Sequence, residues 1–200
     1  MFPEIAARHP LRLPIAEGGL RYAGQFLTPA QADGLLGILV SDIPWQQAQI
    51  TLFGRSLPTP RLSCWMGDAD AVYRYSNTAF VPVPWQANVL DLKRRLEDVT
   101  GARFNSVLLN YYRNGQDAMG WHSDDEPELG AQPVIASVSL GGVRRFLIRP
   151  RSGGPSSCIE LAHGSLLLMQ GDTQKNFKHC LPRTAKAVGP RINLTFRKVR

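Results

Sequence analysis

His122 and Asp124 stand two residues apart in GWHSDDEPELG, residues 120–130. Side chains at i and i+2 of an extended segment leave on the same side. An imidazole and a carboxylate so placed can reach one cation. A third ligand has to come from elsewhere, and His179 in FKHCLP is the best placed, in a β-rich stretch closed by a proline. Two histidines and one carboxylate form the facial triad of non-haem Fe(II) oxygenases, which leaves coordination positions open for other ligands. A lone H-x-D pair arises often by chance. The same pair followed by a distant histidine and then an arginine, here His179 and Arg191, is far more specific. His163 in LAHGS is the rival ligand and reads as a turn residue before a strand; His9 lies in the tail. Asp125, Glu126 and Glu128 read as a solvated acidic loop, of which one member could face a substrate because the loop starts at the metal pair.

A second chemical signal lies in RINLTFR, residues 191–197. Strand alternation sends Arg191, Asn193, Thr195 and Arg197 to one face and Ile192, Leu194 and Phe196 to the other. The apolar face belongs in a core. The polar face is either solvated or lines a cavity, and two neighbouring buried arginines need an anion between them. A dicarboxylate would satisfy both. In FNSVLLNYYR, Asn110 and Tyr112 share a face with Leu108, opposite Val107, Leu109 and Tyr111, so a second strand offers hydrogen-bonding groups among apolar neighbours.

The elements that must carry these groups are short. From residue 104 the chain reads as strand after strand, in FNSVLLNYYR, PVIASVSLG, VRRFLIRP, SCIELA, GSLLLMQG, KHCLP and RINLTFRKV, with Gly-containing turn signals between them. Many short strands with glycine turns indicate a sandwich, barrel or jelly roll. Before them, TPAQADGLLGILVSDI reads as a helix capped by Thr28, with Pro29 at its first position, Gln31 completing a capping box, and Leu35, Leu36, Leu39 and Val40 on one face. A second helix is expected from Trp85 to Thr100, with Val89, Leu92, Leu96 and Val99 at helical spacing and Gly101 ending it. Residues 44–84 are rich in proline and aromatics and read as short strands and long loops, and residues 1–27 as a segment wrapping the domain edge. The fold class is therefore α+β, an antiparallel double sheet with two helices packed outside.

Composition narrows the setting. Two hundred residues, 44% apolar, suit one domain with a real core. No apolar run approaches the roughly 18–20 residues needed to cross a bilayer, and the N-terminus has no apolar signal region. A soluble cytoplasmic protein is expected (nuclear in a eukaryote), a monomer with no membrane partner. A net charge of +7 suits a polyanionic partner or simple solubility. Three cysteines without a C-x-x-C pair fit a reducing compartment and argue against a zinc ribbon.

These motifs together resemble the AlkB-type Fe(II)/2-oxoglutarate dioxygenases, which carry N-x-Y, H-x-D, H and R-x-N-x-T-x-R in this order. Here they are Asn110–Tyr112, His122–Asp124, His179 and Arg191–Arg197, and the last string is the most specific. The resemblance runs from about Thr51 to the C-terminus. It implies a double-stranded β-helix (jelly-roll) core in residues 101–200, with residues 1–100 as an extension holding helices and nucleotide-recognition segments. It further implies that His122, Asp124 and His179 bind Fe(II). Arg191, supported by Asn110 and Tyr112, would hold the distal carboxylate of 2-oxoglutarate; Arg197 would lie near the carboxylate that chelates iron, and Asn193 would be a supporting amide.

The same resemblance gives the N-terminal half a meaning. LFGRSLPTPR, residues 52–61, is similar to a hairpin whose aromatic wedge enters the base stack, with Phe53 beside Gly54 as the wedge and Arg61 at the hairpin's end. VYRYS, residues 72–76, is similar to the segment covering a flipped base, with Tyr73 and Tyr75 on one strand face. Glu126 matches a position that reads the base. The implied chemistry is oxidative dealkylation of N-alkylated bases such as 1-methyladenine or 3-methylcytosine, a direct-reversal DNA repair. It uses Fe(II), 2-oxoglutarate and O2, with ascorbate in vitro. The implied partner is DNA, duplex or single-stranded, with RNA as an alternative. Duplex-preferring relatives carry a denser basic run after the last histidine, whereas CLPRTAKAVG holds only Arg183 and Lys186; the basic segment GVRRFLIRPR, residues 142–151, is the candidate that compensates. Two other readings stand beside this one. One is a 2-oxoglutarate oxygenase of RNA, protein or a small molecule; the other is a basic nucleic-acid-binding module without catalysis.

Overall fold

The computed structural model describes residues 19–52, 55–75 and 78–200. Six strands form the larger sheet: β1 (Leu20–Ala23), β4 (Leu62–Gly67), β7 (Ser106–Tyr112), β9 (Ile135–Gly141), β12 (Ser165–Met169) and β14 (Arg191–Arg197). Their order is β1-β12-β9-β14-β7-β4, antiparallel throughout. The smaller sheet holds β8 (Met119–His122), β10 (Arg144–Pro150), β11 (Ser157–Leu161) and β13 (Phe177–Leu181) in the order β11-β10-β13-β8. Two hairpins complete the described strands: β2 (Gln49–Leu52) with β3 (Arg55–Pro58), and β5 (Tyr73–Tyr75) with β6 (Thr78–Phe80). The expectation of short strands over residues 44–84 is met. Of the expected edge-wrapping segment 1–27, the described part supplies β1, an edge strand on β12, and the buried Phe26 and Leu27.

Both expected helices form. Helix α1 spans Pro29–Asp42, and its start is fixed by a reciprocal capping box. The Gln31 N–H donates to Thr28 Oγ1 at 3.3 Å and the Thr28 N–H to Gln31 Oε1 at 3.1 Å. Helix α2 spans Ala87–Thr100, two residues later than its expected start, because Gln86 acts as the cap and accepts the Val89 N–H at 3.1 Å. Gly101 closes it at φ 70°, a left-handed conformation that costs a residue with a Cβ. The helices pack on the outer face of the larger sheet. Ala32, Leu39, Val89, Leu92 and Leu96 join Val107, Leu109, Val138, Ile192, Leu194 and Phe196 in one core. Two residues expected on the apolar faces do not join it: Val40 is 41% and Val99 43% exposed. Ala32, seven positions before Leu39, takes the inward place on α1, and on α2 the buried Glu97 does so, accepting the Phe104 N–H at 2.8 Å.

A second apolar cluster fills the space between the sheets, built from Tyr112, Ile135, Phe146, Ile148, Ile159, Leu161 and Leu167 among others. The larger sheet is therefore covered on both faces. That accounts for the burial of every residue of β14 except the half-buried Asn193. The side of β14 carrying Arg191 and Arg197 cannot face solvent; it must look into the space between the sheets.

Candidate metal and diacid site

The site lies at a cavity between the two sheets, lined on the β14 side by Arg191, Asn193, Thr195 and Arg197 and on the opposite side by His122, Asp124 and His179. Strand pairing brings the histidines together. In the β13–β8 pair, His179 stands directly opposite His122, and a register shift follows. Their ring centres are 4.3 Å apart. Asp124, just past the end of β8, points back at both: its carboxylate oxygens lie 3.9 Å from His122 Nε2 and 4.0 Å from His179 Nε2. One donor atom from each of the three residues falls within 4.8 Å of the others, a grouping able to hold a metal ion. His122 Nδ1 lies 2.9 Å from the Gly120 carbonyl, an arrangement that leaves Nε2 free for a cation. His179 Nδ1 is buried without a partner, and the Phe146 ring stacks on the imidazole at 5.1 Å instead.

Other groups hold Asp124 in place. Its backbone N–H donates to Gln174 Oε1 at 2.9 Å, and the adjacent Ser123 hydroxyl donates to the Phe177 carbonyl at 2.7 Å. Gln174 belongs to a single helical turn, α3 (Thr173–Asn176), directly before β13. It therefore ties the carboxylate segment to the strand that carries His179. Groups that orient metal ligands are commonly worth about 10–100-fold in metal affinity. Gln174→Ala should weaken Mn(II) binding by about that factor, as measured by titration of the metal-free protein; unchanged affinity would show that this tie does not govern the site.

At the other end of the cavity, Arg191 is only 1% exposed. Its Nη2 donates to Ser139 Oγ at 2.9 Å, while Nε and Nη1 are buried without a partner. Its guanidinium carbon lies 5.2 Å from the centre of the Tyr112 ring. Arg197 donates to Asp124 Oδ1 at 2.8 Å and keeps a buried Nε without a partner. Buried donors left unmet cost free energy, and two cations facing a cavity in which Asp124 is the one carboxylate among the described lining residues leave positive charge to spare. An anion with two acceptor ends would meet these groups. Asn193 donates to Ser137 Oγ at 2.8 Å and to the Val138 carbonyl at 3.0 Å, and accepts the Thr195 hydroxyl at 3.2 Å; these bonds brace the floor between the arginines.

Electrostatics favour a site ready for a cation. Burial would raise the Asp124 pKa, but Arg197, His179 and His122 together bring it below the usual value. Burial, with help from nearby His122, drives His179 down from 6.5 to about 3. His179 is therefore neutral at working pH and need release no proton to bind a metal. The sign of the stability effect follows. An unfolded chain takes up a proton on this histidine as pH falls below 6.5, while the folded chain does not until about 3. Asp124, whose folded pKa is depressed, also loses its contribution on acidification. The metal-free protein should lose denaturant resistance progressively from pH 6.5 toward 3, and His179→Phe should flatten that dependence. A pH-independent midpoint for the unsubstituted chain over this window would contradict the buried, neutral state of His179.

The comparisons with known proteins agree with this geometry. Residues 19–197 match the model of the 2OG-Fe(II) oxygenase superfamily. The chain is 41% identical over 184 residues to the alpha-ketoglutarate-dependent dioxygenase alkB homolog 3 of Mus musculus, covering 87% of this chain and 64% of that protein. It is 38% identical over 181 residues to the DNA oxidative demethylase ALKBH2 of Homo sapiens, covering 85% of this chain and 69% of the relative. The chain belongs to the AlkB-type 2OG-Fe(II) oxygenases. It spans somewhat under two thirds of the length of the alkB homolog 3 proteins it matches. The solved structure of OsALKBH1 shares the fold, with a TM-score of 0.61 at 18% identity over 90% of this chain and 96% of that one. The stacked sheets are thus the double-stranded β-helix of this family. Fe(II) and 2-oxoglutarate, the metal and cosubstrate in the family's name, suit the donor set: two imidazoles and a carboxylate for the metal, and unmet guanidinium donors for the diacid.

The remaining expected site residues are more scattered. Asn110 and Tyr112 line the cavity. Arg61, expected at the end of a DNA-facing hairpin, turns inward: Nε donates to Asn110 Oδ1 at 2.9 Å and Nη1 to the Ala118 carbonyl at 3.3 Å. This leaves the amide –NH2 of Asn110 as its donor group. Glu126 precedes a 3-10 turn, Pro127–Leu129, and its Oε2 is buried without a partner. Tyr73 and Tyr75 lie in β5, where only the backbone is described, and Phe53 and Gly54 lie outside the described residues. The basic segment 142–151 is not uniformly outward. Arg144 is buried, Arg151 pairs with Asp125, and Arg145 and Arg149 are exposed. Arg149 stacks on Trp121 with its guanidinium carbon 4.1 Å from the ring centre. His163 is not part of the metal group: its Nδ1 accepts the Gly141 N–H at 2.7 Å and its Nε2 faces Asp33 at 3.1 Å. Sequence reasoning missed Ser137, Ser139, Arg144 and Gln174. The alternation in IASVSLG already put both serines on one face, and their strand pairs with β14.

Proposed function

We propose that this protein is an Fe(II)/2-oxoglutarate-dependent dioxygenase that removes N-alkyl groups from nucleic-acid bases, with DNA bearing 1-methyladenine or 3-methylcytosine as substrate. The observation that carries the reading is a single cavity with a His–Asp–His group at one end and a buried arginine with two unmet donors at the other. The names of its relatives, an alpha-ketoglutarate-dependent dioxygenase and a DNA oxidative demethylase, support the substrate class.

His122, Asp124 and His179 hold the iron. Arg191 clamps the distal carboxylate of 2-oxoglutarate, Asn110 and Tyr112 complete that pocket, and Arg197 stands beside the carboxylate nearer the metal. Asn193 keeps the strand between the two arginines rigid. When bound, iron and 2-oxoglutarate supply a two-electron oxidation by O2 that yields succinate, CO2 and a hydroxylated alkyl carbon. The resulting hemiaminal on the base then loses its O–H proton and breaks its C–N bond, releasing formaldehyde and returning the electron pair to the unalkylated ring nitrogen. The chain's contribution is placement and exclusion of water. Glu126, two residues beyond the metal aspartate, offers a buried acceptor for an exocyclic amine of the base. Tyr73 and Tyr75 cover the flipped base, and Phe53 beside Gly54 fills the gap it leaves in the stack. Arg61 acts from inside, fixing Asn110, more than as a phosphate contact.

The test is mass spectrometry of oligonucleotides carrying 1-methyladenine or 3-methylcytosine, as single-stranded DNA, duplex DNA and RNA, after incubation with protein, Fe(II), ascorbate and 2-oxoglutarate. Loss of a methyl mass with equimolar succinate is expected for DNA. Succinate formation without demethylation would move the substrate to another class. No 2-oxoglutarate turnover at all would remove the enzyme reading and leave a binding module.

A further inference from the structure

Arg144 opens β10 on the same face as Phe146 and Ile148, looking toward the larger sheet, and is 3% exposed. Its guanidinium donates to three backbone carbonyls: Asn114 at 3.1 Å, Asp117 at 2.9 Å and Pro182 at 2.6 Å. The first two belong to the loop that follows β7, the strand carrying Asn110 and Tyr112. The third belongs to the segment that follows β13, the strand carrying His179. Carbonyls satisfy hydrogen bonds but cancel no charge. The nearby Asp117 carboxylate is engaged by Arg113, through the backbone N–H at 2.9 Å, Nε at 2.8 Å and Nη2 at 2.9 Å.

The Arg144 guanidinium carbon lies 5.9 Å from the Tyr112 ring centre, and that of Arg191 lies 5.2 Å from the same ring. Two buried cations thus lie against one aromatic ring. Burial first, and then the positive charge of Arg144, pull Arg191 down to about 10, with Tyr112 acting in the opposite sense. Two like charges so close in a low-dielectric interior are costly until an anion arrives. An anion that meets Arg191 relieves both.

We propose that Arg144 is a positioning residue for the diacid cosubstrate, acting through Tyr112 and Arg191 on the distal carboxylate. The proposal rests on the reading of Arg191 as the clamp for that carboxylate. Arg144 anchors the loop that fixes the end of β7, holds the Tyr112 ring against Arg191, and adds its own charge to the field at the Arg191 end of the cavity. It touches neither metal nor substrate. Its effect is confined to the end of the ligand that carries the second charge.

A role limited to folding would weaken every ligand alike, so the test compares two ligands in the same samples. Anaerobic Fe(II)-loaded protein is titrated with 2-oxoglutarate and with 2-oxopentanoate, which chelates metal the same way but lacks the distal carboxylate. Binding is followed by the charge-transfer absorption of the chelate. In Arg144→Gln, 2-oxoglutarate affinity should fall about tenfold, in the range expected for coupled neighbouring residues, while 2-oxopentanoate affinity stays within about twofold. Arg144→Lys, which keeps the charge but cannot span three carbonyls, should lose part of that selectivity, and it carries the test if the glutamine variant does not fold. Equal loss for both ligands, or no loss for either, overturns the proposal. If the unsubstituted protein itself fails to prefer 2-oxoglutarate over 2-oxopentanoate, the clamp reading of Arg191 falls first.

Discussion

Alanine at His122 or His179 should lower base demethylation at least about a thousandfold, since metal chemistry worth several kcal/mol is lost with its ligand. Raising 2-oxoglutarate should not restore it, because the deficit lies at the metal end of the cavity. The variants should differ in stability. His122 lies at the cavity rim and is a third exposed on its side chain, so His122→Ala should melt close to the unsubstituted metal-free protein. His179 is buried against Phe146, and its truncation opens a hole beside that ring. Asp124→Ala should be the most damaging to the fold. It strips Arg197 of its carboxylate at 2.8 Å, and breaking a buried ion pair from one side costs roughly 3–5 kcal/mol. Activity assays with metal titration, alongside thermal melts of the metal-free variants, check all three. Full demethylation by His122→Ala would mean that the histidines hold no catalytic metal.

Arg191→Met should raise the KM for 2-oxoglutarate at least about 30-fold, as removal of one partner from a buried, hydrogen-bonded charge pair costs roughly 2–5 kcal/mol. Metal affinity should change little, because Arg191 makes no contact with His122, Asp124 or His179 among the described hydrogen bonds and ion pairs. Stability is expected to move the other way. In the free protein Arg191 is a buried cation with two unmet donors, and an apolar side chain of similar length removes that cost. The metal-free Arg191→Met variant should therefore melt no lower than the unsubstituted chain; metal should stabilise both, while the further gain on adding 2-oxoglutarate to the metal-loaded protein should be large only in the latter. A variant that melts much lower yet binds the diacid normally would show that Arg191 is a packing residue.

Much of this site was legible in the sequence because strand alternation is a strict rule. It put Arg191, Asn193, Thr195 and Arg197 on one face, and H-x-D geometry put His122 and Asp124 on one side of an extended segment, as the structure shows. The capping box of α1 and the glycine stop of α2 depend only on local chemistry and were readable for the same reason. What was not legible depended on long-range packing. Val40 and Val99 fit a helical stripe yet stand exposed, and Ala32 and Glu97 are the buried residues instead. Arg61 was read only as the arginine at the hairpin's end; the pairing of β4 with β7 places it beside Asn110. Gln174 reaches Asp124 across fifty positions, a separation no local pattern encodes. Arg144 was missed for a different reason. Its alternation with Phe146 and Ile148 was visible, yet it was read only as part of the basic segment 142–151.

The sharpest measurement is isothermal titration of one protein with Mn(II) and 2-oxoglutarate, each in the absence and presence of the other. If the cation and the diacid share one cavity, each should tighten the other's binding by the same factor, as linkage requires, while Arg191→Met should weaken the diacid both with and without the metal. Diacid binding that is indifferent to the metal in the unsubstituted protein would show that the two ends of the cavity do not work together.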